Sequence, residues 1–275
     1  MEHLKVPYYF LDAPIFSGRA EADRQNIDEE IIDYFRLQLE EVIAFVEEVT
    51  GQPRDPVRFR RTFELAQRCY DLWGELNQLR KAVPCPMGVV DEAGDVYPMM
   101  QMPGLPEAVG MYEMLLAEVR ERVERGEGVI DNERHRLLWL GPAPNYDTSL
   151  LNYFEEFGAV LVRSDLDSIY LGHYDPDNPL DGLARKMISN TFSGSVENRI
   201  AYTRTLARDY RVDGVVAYTH LGCRLYAGGQ RAVCDALKEE FGLPYLLLDG
   251  DLVDSRGYDR SQLRNKIEGF LETLG

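Results

Sequence analysis

The chain has 275 residues, of which 45% are hydrophobic and 28% charged, as is typical of a folded globular protein. A net charge of −17 at pH 7 repels phosphate groups and anionic lipids, which argues against nucleic acid or a membrane as a partner. No apolar run approaches the ~20 residues of a spanning helix, and the first residues do not resemble a signal peptide. Because the four cysteines do not indicate a disulfide framework, the composition predicts a cytoplasmic protein.

The first part of the chain, residues 1–130, has a mainly helical pattern. An apolar, aromatic run at residues 6–11 predicts one short strand. Apolar residues at helical spacing then predict three long helices, at residues 28–50, 56–81 and 106–125. The segment between the last two is rich in proline, glycine and methionine, and residues 83–106 are therefore predicted to be an irregular connector.

The second part, residues 131–275, alternates buried-type strands with amphipathic helices. The predicted strands are residues 137–141, 159–162, 214–219 and 244–248, and the predicted helices are residues 146–157, 180–188, 196–210, 229–241 and 260–274. Continuous apolar strands between helices indicate a parallel sheet covered on both faces. With right-handed crossovers this predicts an α/β fold: a doubly wound, four-stranded parallel sheet of the flavodoxin or Rossmann type.

The strand predicted at residues 6–11 has no evident parallel partner in the helical segment that follows it. An isolated buried-type strand cannot satisfy its backbone hydrogen-bonding groups. We therefore expect it to pair with the sheet of the second part or with sequence outside this chain.

Three loops at predicted strand ends contain chemically useful residues: 139–146, 218–224 and 249–256. Open α/β sheets bind ligands outside the carboxyl ends of their strands, so we expect these loops to converge. Cys223 follows a glycine at the start of a helical segment, where the helix N-terminus and Arg224 favour the thiolate needed for nucleophilic attack or metal ligation. The alternative is that Cys223 is a small residue in a tight turn.

The other cysteines and the nearby histidine have simpler interpretations. His220 and Cys223 together give two ligands, too few for a structural zinc site, so a polar loop histidine is favoured. Cys69 and Cys234 lie in amphipathic helices and are predicted to pack in the core. Cys85 lies between two prolines in the connector, where a structural role is favoured over a reactive thiol.

Acidic residues after the last predicted strand offer a second candidate site. Asp249 and Asp251 have the oxygen ligands that a divalent cation takes. The favoured alternative is that Asp251 and Asp254 cap the last helix or pair with Arg256 and Arg260. The sequence has no glycine-rich dinucleotide motif, phosphate-binding loop or nucleophile elbow, which argues against a nucleotide site and a serine hydrolase.

Several segments together resemble 2-hydroxyacyl-CoA dehydratase subunits and the related benzoyl-CoA reductase subunits. In the second part they are VDGVV (212–216), HLGCR (220–224), GLPYLLLDGD (242–251), DSR (254–256) with Gln262, and IEGFLE (267–272). In the first part they are VPY (6–8), DAP (12–14), EEVTG (47–51), Arg80 with PCP (84–86), and ERHRLLW (133–139). The segments follow the family order, so the resemblance covers essentially the whole chain.

The resemblance implies α/β domains, an oxygen-sensitive [4Fe–4S] cluster held by three cysteines, and a paralogous partner subunit. It also implies an ATP-dependent activator protein that delivers low-potential electrons, and an acyl-CoA substrate. Cys223 matches the last of the three cluster ligands. In the family the other two lie in a domain upstream of the segment matching residues 6–11, so we expect them outside this chain. Three explanations remain open. This chain is a fragment, or a second polypeptide supplies the missing half, or the protein is a shortened relative without the cluster.

Three interpretations follow. The leading one is a subunit, or subunit portion, of a [4Fe–4S] 2-hydroxyacyl-CoA dehydratase (a lyase) or a benzoyl-CoA reductase-type enzyme (an oxidoreductase), with Cys223 as a metal ligand. The alternative is a cluster-free structural or regulatory subunit of such a complex. The third is a metal-ion or thiol enzyme that uses Cys223 with Asp249 and Asp251.

Overall fold

The computed structural model describes residues 5–14, 27–170 and 172–275. In chain order, the helices of these ranges are α1 (Glu29–Thr50), α2 (Pro56–Leu79), α3 (Val89–Asp95), α4 (Tyr97–Gln101), α5 (Pro106–Arg125), α6 (Ser149–Asn152), α7 (Pro179–Ile188), α8 (Val196–Asp209), α9 (Arg224–Phe241) and α10 (Arg260–Glu272). The strands are β1 (His135–Leu140), β2 (Ala159–Ser164), β3 (Gly214–His220) and β4 (Tyr245–Gly250). Single 3-10 turns cover Glu155–Phe157, Leu166–Ile169 and Ser255–Gly257.

The three long helices predicted in the first part are confirmed, and local sequence sets their ends. Pro106 opens the first turn of α5, and Gly126 ends it in the left-handed conformation, with φ 69°. The side chain of Asp28 accepts a hydrogen bond from the Glu30 backbone N–H and caps α1. Asp55 caps α2 in the same way.

The prediction of an irregular connector at residues 83–106 is wrong in part, because the segment contains α3 and α4. These helices have seven and five residues, too few to show a helical period in the sequence. The Tyr112 hydroxyl of α5 holds them in place. It accepts a hydrogen bond from the Met99 backbone N–H at 2.9 Å and donates one to the Asp95 carbonyl oxygen at 2.9 Å.

The strand predicted at residues 6–11 is also wrong: none of the described residues 5–14 is in a strand. Phe10 is 79% exposed, and the segment lies along α1 through side-chain contacts rather than through a backbone ladder. The Asp12 backbone N–H donates to Gln38 Oε1 at 2.8 Å, and Gln38 Nε2 donates to the Asp12 carbonyl oxygen at 2.9 Å. The expectation that this segment pairs with the sheet of the second part is therefore wrong, and pairing with sequence outside this chain stays a prediction.

The predicted parallel sheet is confirmed. Its strands lie in the order β2-β1-β3-β4, and every neighbouring pair is parallel. The register between β1 and β2 shifts between Leu137 and Leu138, whereas β3 pairs with β4 without a break from Val215 to His220. The order places β1 beside β3, so the chain leaves these two central strands towards opposite edges of the sheet.

Two apolar layers cover the sheet. Residues of α6 and α10, such as Leu151 and Ile267, pack on one face against Trp139. Residues of α8 and α9, such as Leu206 and Val233, pack on the other face. The long helices α2 and α5 have a separate core around Trp73 and Tyr112.

The boundary between residues 1–130 and 131–275 stays a prediction. Within the described ranges no helix is long and apolar enough to cross a bilayer.

Two helices of the second part differ from the predictions. Residues 146–157 were predicted as one helix but form only α6 and a 3-10 turn, because Tyr153 and Phe154 turn into the core and Gly158, with φ 74°, ends the turn just before β2. Helix α9 begins at Arg224 rather than at residue 229, since its first turns tolerate two glycines once tertiary contacts hold them.

Candidate functional site

The loops after β1, β3 and β4 meet at one edge of the sheet, as predicted. The Asn145 backbone N–H donates to the Leu252 carbonyl oxygen at 2.9 Å, and the Tyr146 hydroxyl donates to the Asp251 carbonyl oxygen at 3.2 Å. The Leu221 backbone N–H donates to the Gly250 carbonyl oxygen at 3.0 Å. This edge lies where β1 and β3 diverge, the position at which open α/β sheets bind ligands.

The loop after β1 turns sharply at Gly141, which has φ 102°. A side chain there would place its Cβ 2.4 Å from the Tyr218 carbonyl oxygen, so β1 and β3 approach as closely as glycine alone permits. The Gly141 N–H donates to Asp165 Oδ1 at 2.9 Å, and its carbonyl oxygen accepts a hydrogen bond from Trp139 Nε1 at 2.8 Å. The turn is therefore fixed on both sides.

Cys223 lies in the loop after β3, immediately before the first turn of α9. Its backbone N–H donates to the His220 carbonyl oxygen at 3.1 Å, and its carbonyl oxygen accepts the Ala227 N–H at 2.9 Å. The residue is partly exposed, and two exposed leucines flank it, Leu221 at 71% and Leu225 at 56%. Cys223 is therefore accessible at the carboxyl edge, at a helix N-terminus.

The other three cysteines are buried. Burial raises the pKa of Cys69 to about 11 and that of Cys234 to about 12. Burial also raises the pKa of Cys85, whose thiol donates a hydrogen bond to the Met87 carbonyl oxygen at 3.2 Å. All three side chains pack in the core clusters, which confirms the structural interpretation of all three.

His220 and Asp251 are close but are not hydrogen-bonded to each other. His220 Nδ1 lies 4.0 Å from Asp251 Oδ2, beyond hydrogen-bonding distance, and its ring lies over Gly222. Asp251 Oδ1 instead accepts hydrogen bonds from the backbone N–H groups of Asp254 at 2.9 Å and Val253 at 2.8 Å. These bonds hold the pKa of Asp251 below its ordinary value.

The predicted ion pair between Asp254 and Arg256 is present, whereas the predicted cap of the last helix is wrong. Asp259 caps α10 by accepting the N–H groups of Ser261 and Gln262. Among the described residues, no three histidine, cysteine, aspartate or glutamate side chains cluster as a metal site. Asp249 is exposed, and the cation site predicted at Asp249 and Asp251 stays a prediction.

A buried network of hydrogen bonds holds the start of α9 in place. Arg199 donates to the Tyr226 carbonyl oxygen at 3.2 Å and to Gln230 Oε1 at 2.6 Å. The Tyr226 hydroxyl donates to Asp165 Oδ1 at 3.3 Å, the oxygen that also accepts the Gly141 N–H. The network connects the end of β2, the turn after β1 and the helix that follows Cys223.

Burial raises the pKa of Asp165 to about 6, against 3.8 in the unfolded chain. The folded state therefore binds this proton more tightly, and the stability that the protonated carboxyl contributes is lost as the pH rises through about 6. We expect wild type to lose about 2 kcal/mol relative to Asp165→Asn between pH 4 and pH 7. Urea unfolding at both pH values measures this.

Asp71→Asn removes a carboxylate at an exposed position of α2 and is the control for the general effect of losing one negative charge. A difference between wild type and Asp165→Asn that stays constant with pH would contradict the assignment of Asp165 as a buried, destabilised carboxylate.

A cavity of about 580 Å³, which the sequence did not reveal, opens at the carboxyl ends of β1 and β2. The strand residue Trp139 forms part of its inner wall, and Val89 and Met100 of α3 and α4 form part of the opposite wall. Glu92 and Asp167 are its acidic residues. The sequence signal that could have located it is the charged segment at residues 163–167, which spans the end of β2 and the turn after it.

The two acids belong to a buried ion-pair network. Glu92 Oε2 lies 2.6 Å from an Arg80 guanidinium nitrogen, and Asp167 Oδ2 lies 2.5 Å from an Arg163 guanidinium nitrogen. Trp73 Nε1 also donates to Asp167 Oδ2, at 2.7 Å. The charges compensate one another within the protein, and the network ties α2 and α3 to β2.

Comparisons with known proteins match this chain along nearly its whole length. It is 24% identical over 275 residues to the alpha subunit of (R)-2-hydroxyglutaryl-CoA dehydratase from Acidaminococcus fermentans, an alignment that covers 98% of this chain and 55% of that protein. It is 23% identical over 273 residues to the alpha subunit of (R)-phenyllactyl-CoA dehydratase from Clostridium sporogenes, covering 98% and 65%. It is 27% identical over 269 residues to a benzoyl-CoA reductase subunit from Thauera aromatica, covering 90% and 61%.

The chain thus spans 55% to 65% of the length of these relatives. A family model described as 2-hydroxyglutaryl-CoA dehydratase, D-component, matches residues 1–274. The resemblance inferred from the sequence segments is confirmed, and this chain belongs to the 2-hydroxyglutaryl-CoA dehydratase D-component family.

Proposed function

We propose that this chain is a subunit, or subunit portion, of a [4Fe–4S] enzyme of the 2-hydroxyacyl-CoA dehydratase and benzoyl-CoA reductase type, and that Cys223 is one of its cluster ligands. The observation that carries the proposal is the position of Cys223. It is the one cysteine of four that is not buried, and it lies at a helix N-terminus on the ligand-binding edge of the sheet. A partly exposed cysteine at this edge can reach a metal bound against the sheet, which a buried cysteine cannot do.

The described residues fit only part of a cluster site. A cubane cluster is usually held by three or four thiolates, and the other three cysteines of this chain are buried. We infer that the remaining ligands come from other sequence of the enzyme. The relatives are named as subunits of larger enzymes, which supports a paralogous partner subunit. An ATP-dependent activator that delivers the electrons is part of the same proposal.

The chain's own residues would orient the ligand and exclude water. The network of Arg199, Tyr226 and Asp165 fixes the first turn of α9 and hence the position of Cys223. The exposed side chains of Leu221 and Val253 form an apolar rim at the same edge, which a second domain or subunit would cover. The cluster, when bound, would supply low-potential one-electron chemistry for an acyl-CoA thioester, tuned by such burial and by hydrogen bonds to sulfur.

The test is anaerobic co-expression with the companion subunits and the activator, followed by mass analysis of acyl-CoA products. Loss of water from a 2-hydroxyacyl-CoA would indicate a dehydratase, and gain of hydrogen on an aromatic ring would indicate a reductase. We expect Cys223→Ala to abolish the activity and Cys234→Ala to retain it. An assembled complex whose activity survives Cys223→Ala would favour the cluster-free structural or regulatory role instead.

A further inference from the structure

The cavity at the carboxyl ends of β1 and β2 has the size and the wall chemistry of a small-molecule site. Its volume of about 580 Å³ falls within the roughly 300–1,000 Å³ range of ligand pockets. Val89, Val96, Leu151 and Leu166 contribute apolar wall, with the indole ring of Trp139 between them. Such walls bind hydrocarbon by removing its surface from water.

The indole adds a flat apolar surface and no free polar group. Trp139 is buried, its ring stacks on Tyr218 at a centroid distance of 6.2 Å, and its Nε1 already donates to the Gly141 carbonyl oxygen. The other end of the cavity meets solvent, where Tyr97 and Met100 on α4 are exposed. A ligand can therefore enter past α4 and reach the indole.

The charges on the wall decide which ligands fit. Glu92 and Asp167 line the cavity, and none of the described residues around it is an arginine, lysine or histidine. The guanidinium groups of Arg80 and Arg163 lie behind the two carboxylates and are paired with them. A carboxylate on the ligand would meet two acids and no available cation, and it would lose its hydration without compensation.

We propose that this cavity binds the hydrocarbon end of the acyl substrate, and that it selects an uncharged branched or aromatic acyl group over one that ends in a carboxylate. The inference rests on the proposed function, because it takes an acyl thioester as the substrate. The neighbouring loop after β1 fits this assignment, since Asn145 lines the cavity and its backbone N–H donates to Leu252 of the loop after β4, at the same edge of the sheet as Cys223.

The experiment uses the full chain and two probes that differ mainly at one end: the N-acetylcysteamine thioesters of 4-methylpentanoate and of glutarate. Calorimetric titration is expected to give at least about ten-fold tighter binding of the 4-methylpentanoyl thioester, a difference of about 1.4 kcal/mol. Equal affinities, tighter binding of the glutaryl probe, or no binding of either would overturn the proposal.

A matched pair of variants locates the binding. Ala93→Phe adds a ring at an exposed position of α3 that lines the cavity, and it is expected to weaken 4-methylpentanoyl binding by at least about ten-fold. Ala117→Phe makes the same change at an exposed position of α5 outside the cavity and is expected to leave binding unchanged. Equal effects of the two variants would place the probe elsewhere.

Binding of the thioesters needs no iron. Failure of this inference therefore leaves the cluster proposal intact, and loss of the cluster proposal by iron analysis leaves the binding result standing.

Discussion

Replacement of Arg80 by methionine is expected to lower the free energy of unfolding by about 3–5 kcal/mol, because it leaves a buried carboxylate without its cation. Arg80 is fully buried, and its guanidinium lies 2.6 Å from Glu92 Oε2. It also donates to the carbonyl oxygens of Met87 and Val162, each at 3.0 Å. Methionine keeps much of the volume but satisfies none of these acceptors.

The pKa of Glu92 is raised, chiefly by burial, and Arg80 is the first group that opposes the rise. In the variant we expect Glu92 to take up a proton, so the loss of stability should be smaller in acid than at neutral pH. Denaturant unfolding at two pH values measures both effects.

Arg120→Met is the matched control. Arg120 pairs with Glu75 at 2.6 Å, but the two side chains are 54% and 43% exposed, and such pairs contribute less than about 1 kcal/mol. Equal losses in the two variants would show that the Arg80 pair is not an essential part of the packing between α2 and β2.

Gly141→Ala is expected to destabilise the protein by about 3 kcal/mol or more and to displace the loop after β1. The backbone at φ 102° strains any residue with a side chain, a cost of about 1–3 kcal/mol. The added Cβ would also lie 2.4 Å from the Tyr218 carbonyl oxygen, and because that atom belongs to the backbone of β3, the strands must separate to admit it. Thermal or urea unfolding measures the change.

Gly110→Ala provides the control for this substitution. Gly110 lies inside α5 with no atom within 4 Å of an added Cβ, so alanine should stabilise the helix by about 0.5–1 kcal/mol. Opposite signs for the two variants are expected. A Gly141→Ala protein as stable as wild type would mean that the turn is not fixed as described.

The sheet was predictable because its strands are continuous apolar runs. Residues 215–218 are all buried, and such a run between amphipathic helices has few other arrangements. Residues 6–11 are a similar apolar run, but this segment is held by side chains of α1 rather than by a neighbouring strand. The local sequence pattern is the same in both cases, so it does not distinguish such a segment from a strand. Short helices such as α3 were missed because one or two turns show no period.

The parts of the site formed by a single loop could be predicted from the sequence. The parts formed by packing of distant segments could not. The Gly-Cys-Arg sequence after β3 located Cys223 before the first turn of α9, as the structure shows. The cavity was missed because its walls come from β1, β2 and the connector, which are brought together only in the folded chain. The pairing of Asp165 with Tyr226, which are 61 residues apart, likewise leaves no local trace.

Iron and acid-labile sulfide, measured on the anaerobically assembled complex, test the central claim that Cys223 is a cluster ligand. We expect wild type and Cys234→Ala to contain about four iron atoms per cluster and Cys223→Ala to lose them, because a cubane needs each of its few thiolates. Equal iron in the Cys223→Ala complex would show that Cys223 does not hold a cluster.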